Sequence, residues 1–298
     1  MLDAGISVRI ILRPGSRRRH HADRRCEIHE CGLSDSRGLG QALEDTAAIV
    51  YCAGSVRGRY LDDFLPANVA GVQAMIEAQA GQSSPAPFLL ISSLAASRPE
   101  LSDYARSKYM GEQALRQHAQ APWTILRPPA VYGPGDTETA PILKMARRGL
   151  VFRPGPEHQR VSLLYADDLA GAVLAWLRNW RQCADRTFAI DDGFAGGYDW
   201  PAIVRATGQS QFRIIGVPSA LLNAVAKINL TISALMGYAP MLTPGKVREL
   251  TQMDWLCDNT AFTRVTGWEP SMSLASGIRL SLDPAGRWSV IEPTNRQH

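Results

Sequence analysis

Residues 91–112 read ISSLAASRPELSDYARSKYMGE. The run that leads into them, FLLISS (Phe88–Ser93), is apolar up to its serines, as a strand covered on both faces must be. A helical pattern, Leu101–His118, follows, and in it Tyr104 and Lys108 stand four residues apart, neighbours on one face. A phenol with an ordinary pKa near ~10 is a poor acid or base at neutral pH. A lysine ammonium beside it stabilises the phenolate and makes the group usable. Ser93 ends the strand at its carboxyl edge, where open α/β sheets place their ligands, so its hydroxyl is a candidate to hold a substrate oxygen beside Tyr104. Tyr-x-x-x-Lys pairs occur on many solvated helices, and serines often end strands. The ordered conjunction is rarer: strand, serine, short connection, Tyr-x-x-x-Lys, then a strand ending in Arg127-Pro128.

Outward from this stretch, short apolar runs alternate with helical patterns. VRIIL (Val8–Leu12), AIVYCA (Ala48–Ala53) and WTILR (Trp123–Arg127) read as strands, with CEIHEC (Cys26–Cys31) and RTFAI (Arg186–Ile190) as weaker candidates. Helical patterns fall near Ser36–Glu44, Leu61–Gln79, Leu101–His118 and Asp167–Asn179. The alternation predicts a doubly wound parallel α/β sheet over residues 1–192. From residue 193 it fails, which predicts a smaller, mostly helical lobe over 193–298, with Thr243-Pro244-Gly245 as a turn.

The 298 residues are 45% hydrophobic and 20% charged, enough for a sizeable core and contrary to disorder. The net charge of +4 is uneven: seven arginines fall within the first 25 residues, against Asp3 and Asp23. Such a run is a solvated face or a phosphate or nucleic-acid site. The densest part, RRRHH (Arg17–His21), lacks interleaved aromatics for base stacking, so a nucleic-acid partner is not expected. Five cysteines without Cys-x-x-Cys spacing indicate neither a zinc site nor a disulfide framework. With no signal-peptide pattern at the start, reduced thiols in a cytoplasmic protein are the expectation. The most apolar stretch, Val217–Met236, is interrupted by Asn223, Lys227 and Asn229, and reads as buried lobe core or an amphipathic helix rather than a membrane span.

These segments together resemble the extended short-chain dehydrogenase/reductase family, which includes nucleotide-sugar epimerases, dehydratases and 3β-hydroxysteroid-type dehydrogenases. AIVYCAGSVRG resembles the family's fourth strand, with Ala53-Gly54 beside the cofactor, and Asn68 in ANVAGVQAMIEA matches the asparagine of its N-V-x-G-T helix. SS and YARSKYMGE match the catalytic stretch, and LRPPAVYGPGD the loop that embraces the nicotinamide near Pro128 and Pro129. The resemblance implies a Rossmann-type core with a substrate-binding lobe. It also implies hydride transfer between a nicotinamide cofactor and a hydroxyl or carbonyl carbon. In that chemistry Tyr104 exchanges the proton, Ser93 orients the oxygen, and Lys108 lowers the phenol's pKa and binds the ribose. The substrate stays open among sugar-nucleotide, steroid-like and lipid-like small molecules. Arg147, Arg148, Arg153 and Arg160 are candidates for a diphosphate, and Val217–Met236 for an apolar body. Members often pair through the helix carrying Tyr104, which makes a homodimer an expectation. YADDLA resembles a V-D-D-L-A segment, where Asp167 and Asp168 read as helix N-caps, and Gly267-Trp268-Glu269-Pro270 matches a family turn.

The chain departs from the family at two places. MLDAGISVRIILRPGSR resembles the end of the family's first helix and its second strand. A preceding strand with GxxGxxG, which brings backbone amides to the pyrophosphate, is therefore expected within about 30 codons upstream of Met1. Two readings follow: a longer native enzyme, or a non-catalytic Rossmann remnant acting as scaffold or regulator. Where the family commonly has Gly-Asp-Leu, this chain has Cys31-Gly32-Leu33, so the aspartate contact to the adenine is lost and Leu33 is left to cover the ring. Arg13, just after VRIIL with no carboxylate between Asp3 and Asp23, points to NADP(H) in preference to NAD(H), because arginine there accommodates a 2′-phosphate.

Overall fold

The computed structural model describes residues 1–16, 19–20 and 22–282; Arg17, Arg18 and His21 of the basic run lie outside the described residues. β1 (Arg9–Leu12) and β2 (Glu27–Glu30) lead into α1 (Ser36–Ala42) and β3 (Ile49–Tyr51). α2 (Gly71–Ala80) precedes β4 (Phe88–Ile91), and α3 (Asp103–His118) precedes β5 (Trp123–Arg127). Then come β6 (Ala130–Tyr132), α4 (Ala140–Arg147), β7 (Leu150–Arg153), β8 (Arg160–Val161) and β9 (Leu163–Tyr165). α5 (Ala166–Cys183) and β10 (Arg186–Ala189) end the alternation. The remainder is α6 (Trp200–Ala206), β11 (Arg213–Gly216), α7 (Ser219–Met236), α8 (Pro244–Leu250), β12 (Asp254–Trp255), α9 (Thr260–Thr266) and α10 (Leu274–Leu282).

The parallel sheet runs β10-β5-β4-β3, with Val50 opposite Leu89 and Leu89 opposite Thr124. Alternate residues of its middle strands bury on opposite faces, which is why both strands are apolar nearly throughout. Phe88, Leu90 and Ile125 pack with Leu39, Met75 and Leu115. Leu89 and Leu126 pack with Trp176, Phe262 and Trp268. β1 and β2 form a separate parallel pair, and among the described residues no strand hydrogen-bonds β1 to β3. The Arg9 guanidinium ties that pair to the end of α1, donating to the carbonyls of Ala42 at 2.9 Å and Glu44 at 2.8 Å.

Several local expectations differ from the structure. The helix expected over Leu61–Gln79 is broken into a 3₁₀ turn at Leu61–Asp63, a π turn at Pro66–Ala70 and α2. Pro66 has no N–H to continue a helix, and the wide turn that follows carries Asn68. Thr243-Pro244-Gly245 is not a free turn but the start of α8, with the Thr243 hydroxyl accepting from the Lys246 amide at 3.2 Å and proline at the first helical position. Neither Asp167 nor Asp168 caps α5, whose N-cap is Tyr165. The buried Asp168 carboxylate instead accepts from the Ser271 amide at 2.9 Å and the Met272 amide at 3.1 Å, pinning the segment before α10.

The smaller lobe draws on residues either side of 192: β11 pairs with β7, and β12 with β8. Its apolar stretch is not lobe core. As α7 it lies on the surface with only Ala226 and Ser233 buried. By length and composition alone α7 is apolar enough to cross a membrane.

Candidate active site

Ser102 fixes the start of α3. Its hydroxyl oxygen accepts from the Ala105 amide at 3.0 Å and donates to the Glu249 carboxylate of α8, so Tyr104, in the first turn, is registered against the second lobe. Ser93, just past β4, begins a short 3₁₀ turn with its oxygen accepting from the Ala95 amide at 3.2 Å. Burial pushes the Tyr104 phenol above its ordinary value; the Ser93 hydroxyl and the charge of Lys246 oppose that rise, and Glu249 adds to it. The Lys246 Nζ stands 5.8 Å from the centroid of the Tyr104 ring and 2.7 Å from Glu249.

Lys108, one turn further along α3, is buried and donates from Nζ to the Ile91 carbonyl at 2.9 Å. Its ammonium thus sits at the carboxyl edge of β4, and the cation over the Tyr104 ring is Lys246. Burial pushes Lys108 down to about 8, opposed by Glu112 and Cys52. A Cβ on Gly54 would lie 3.8 Å from Lys108 Nζ and 3.1 Å from Asn68 Oδ1, so a bare backbone gives the Ala53-Gly54 turn its clearance. Both Ala53 and Gly54 are exposed.

Asn68 is fully engaged by protein. Its Oδ1 accepts from the Ser55 amide at 3.0 Å, and its Nδ2 donates to the Ser55 carbonyl at 3.1 Å and the Ser107 hydroxyl at 2.8 Å. It positions the Ala53-Gly54 turn against α3. A Cβ on Gly111 would meet the Asn68 carbonyl oxygen at 2.0 Å, so only glycine lets α3 approach this closely. The Pro128 carbonyl accepts from the Leu94 amide at 2.8 Å, joining the end of β5 to the Ser93 turn. Behind the edge, the buried Glu112 carboxylate accepts from the Ser92 hydroxyl at 2.6 Å and from Arg127 at 2.8 and 2.6 Å. That network fixes α3, β4 and β5 to one another, as a satisfied buried charge must be.

Ser93, Tyr104, Lys108, Ala53, Gly54 and Pro128 therefore converge on one sheet edge. The open turn at Gly54 and the ammonium beside it fit the nicotinamide–ribose end of a dinucleotide. Arg13 and Leu33 are not brought to Tyr104; they follow β1 and β2, with Arg13 exposed and Leu33 packed against the first core cluster. Of the basic run, Arg19 pairs with Glu30, and Arg25 pairs with Asp23 at 2.7 Å and Asp3 at 2.8 Å. Those exposed pairs consume charge without adding much stability.

A cleft opens at Tyr104 between the two lobes. Val56 and Phe64 form one wall; Leu230 of α7, Met241 and Lys246 form the other. Its cations already have protein partners: Arg59 is 3.7 Å from Asp63, Lys246 pairs with Glu249, and Arg248 donates to the Leu101 carbonyl at 2.8 Å. Arg147, Arg148, Arg153 and Arg160 are not among the residues lining it. Leu230 falls in the apolar stretch Val217–Met236 offered for an apolar substrate, whereas sequence reasoning missed Lys246 and Glu249. The Lys246–Glu249 spacing marks a helix turn, but nothing in it says which helix it faces.

A family model described as "NAD dependent epimerase/dehydratase family" matches residues 1–190. A ceramide reductase of Caulobacter vibrioides is 33% identical over 237 residues, covering 78% of this chain and 73% of that protein. Among solved structures, a UDP-glucose 4-epimerase from Thermotoga maritima superposes with a TM-score of 0.68 at 18% identity, covering 94% of this chain and 91% of its own. A UDP-glucuronic acid 4-epimerase from Bacillus cereus, in complex with NAD, gives a TM-score of 0.65 at 16% identity, covering 91% and 88%. At these identities the structural matches establish the fold.

Proposed function

Because the chain belongs to the NAD dependent epimerase/dehydratase family, we propose that it reduces a ketone on a long-chain, ceramide-type lipid, with NADP(H) as the preferred cofactor. It is an enzyme of the dehydrogenase/epimerase class and uses a nicotinamide cofactor. A bound nicotinamide supplies the hydride. Tyr104 gives its phenolic proton to the carbonyl oxygen as that oxygen gains charge, and Ser93 donates a hydrogen bond to the same oxygen. Lys108, at the carboxyl edge of β4, would hold the ribose end, and the charge of Lys246 favours the phenolate left on Tyr104. Asn68 and Glu112 act through others: the first holds the Ala53-Gly54 turn, the second the strand ends that carry Ser93 and Pro128.

One observation carries the choice of substrate. Tyr104 faces a cleft whose cations are already engaged by carboxylates and a carbonyl and whose far wall joins Leu230 and Met241 to the Glu249-paired Lys246. Two of the three cleft cations, Arg59 and Lys246, are paired with carboxylates and so offer little to a diphosphate, whereas an alkyl chain meets apolar side chains. The name of the Caulobacter relative supports the same class. Cofactor preference rests on Arg13, exposed directly after β1, where a guanidinium suits a 2′-phosphate. The test presents NADPH with a keto-ceramide in detergent micelles, and separately with UDP-glucose and UDP-glucuronic acid. Formation of the lipid alcohol with no sugar turnover is expected; turnover of a UDP-sugar alone would overturn the reading.

A further inference from the structure

α7 is built inside out. At about 100° per residue, Leu221, Val225, Ile228, Ile232 and Leu235 form one stripe, spaced four, three, four and three. All five point to solvent, Ile228 with 60% and Leu235 with 84% of its surface exposed. The face toward the protein carries Asn229 and Ser233 instead. The Asn229 amide donates to the Leu242 carbonyl at 2.9 Å, and the buried Ser233 hydroxyl donates to the Leu230 carbonyl at 2.7 Å. A surface helix in water has the opposite arrangement, and an apolar patch of this extent marks a surface that meets something other than water.

Two features say what covers it. The helix is continuous with the cleft: Leu230, on its inner side, lines the wall opposite Tyr104. The helix itself is also cationic: from Ser219 to Met236 it has Lys227 and no aspartate or glutamate. Lys227 lies on the flank of the apolar stripe, exposed, where a long side chain reaches a headgroup while its stem stays along the apolar surface.

We propose that α7 lies in the surface of an anionic bilayer, its outer stripe among the acyl chains and its inner side guiding a membrane lipid to Tyr104. An apolar face with basic flanks is the arrangement by which helices bind in the headgroup–acyl boundary without spanning it. The lipid-delivery part rests on the reading of the cleft as a lipid-substrate site; the docking itself is measured independently of turnover.

The test is flotation of the full chain with phosphatidylcholine vesicles, with and without phosphatidylglycerol. The protein is expected to float with the anionic vesicles and less with the neutral ones. Ile228→Asp/Ile232→Asp, at exposed positions and expected to keep the parent circular dichroism spectrum, is expected to lose at least about tenfold in vesicle affinity. The same variant is expected to keep activity on a micellar keto-ceramide and to lose it when that lipid is presented in vesicles. No flotation of the parent chain overturns docking, and so does flotation unchanged by the double substitution. If sedimentation shows a dimer that Ile228→Asp/Ile232→Asp dissociates, with no vesicle binding, a second copy covers the stripe and the proposal is wrong. Flotation without reduction of any keto-lipid leaves docking standing and overturns the substrate reading.

Discussion

Lys108 carries the pH dependence of this site. Burial brings it down to about 8, so its ammonium is present below that pH and lost as pH rises through it. kcat/KM for reduction is therefore expected to fall on the alkaline side from about pH 8. Unfolding driven by Lys108 would have the opposite sign. A lysine whose pKa is lower folded than unfolded adds stability as pH climbs from about 8 toward the ordinary lysine range. Rate and thermal stability measured in parallel across this range check the point; a profile flat up to the ordinary lysine range would remove Lys108 from the chemistry. Arg13 makes a second prediction at this scale. Arg13→Ala is expected to weaken NADPH binding about tenfold to a hundredfold, the size of a charge-assisted hydrogen bond, and to leave NADH binding unchanged. Calorimetric titration of both cofactors decides it, and equal loss for both would make Arg13 a general anchor rather than a discriminator.

At the scale of elements, the site depends on how closely α3 approaches the turn carrying Asn68. Gly111→Ala would drive a methyl group into the Asn68 carbonyl, which lies 2.0 Å from the added Cβ. Backbone cannot yield cheaply, so a stability loss of about 1–3 kcal/mol is expected, with weakened cofactor binding as the Ser55–Asn68–Ser107 bonds shift. Chemical denaturation and cofactor titration measure the two effects, and an unperturbed variant would contradict the packing described here. Much at this scale was legible in the sequence. The runs beginning at Phe88 and Trp123 are buried on both faces, and Ser93, two residues past the first, and Pro128, directly past the second, fall at the candidate site. The break at Pro66 was written in the chain as well, but a helical period of apolar residues on both sides hid it. Asp168 was misread because an aspartate near a helix start usually caps it. Here its carboxylate is claimed by Ser271 and Met272, more than a hundred residues away, a contact local spacing cannot register.

Across the whole molecule, the two lobes meet at Tyr104, and that meeting was the least legible feature. The expected boundary at residue 192 followed the end of strand–helix alternation, yet β7 and β8 reach past it to pair with β11 and β12. The pairing brings α8 over Tyr104, with Ser102 bonded to Glu249 and Lys246 above the ring. For the helix α7, buried core and an amphipathic helix both stayed open, because composition reports how apolar a segment is and not which way it faces. The central claim remains that Tyr104, oriented with Ser93 at the edge of β4, is the proton donor. The measurement that tests it most directly is single-turnover reduction of a micellar keto-ceramide by Tyr104→Phe, with NADPH binding and folding measured on the same preparation. The account predicts a loss of about a hundredfold or more in rate, with cofactor affinity and denaturation midpoint nearly unchanged. A variant that folds, binds cofactor and reduces the ketone at the parent rate would contradict it.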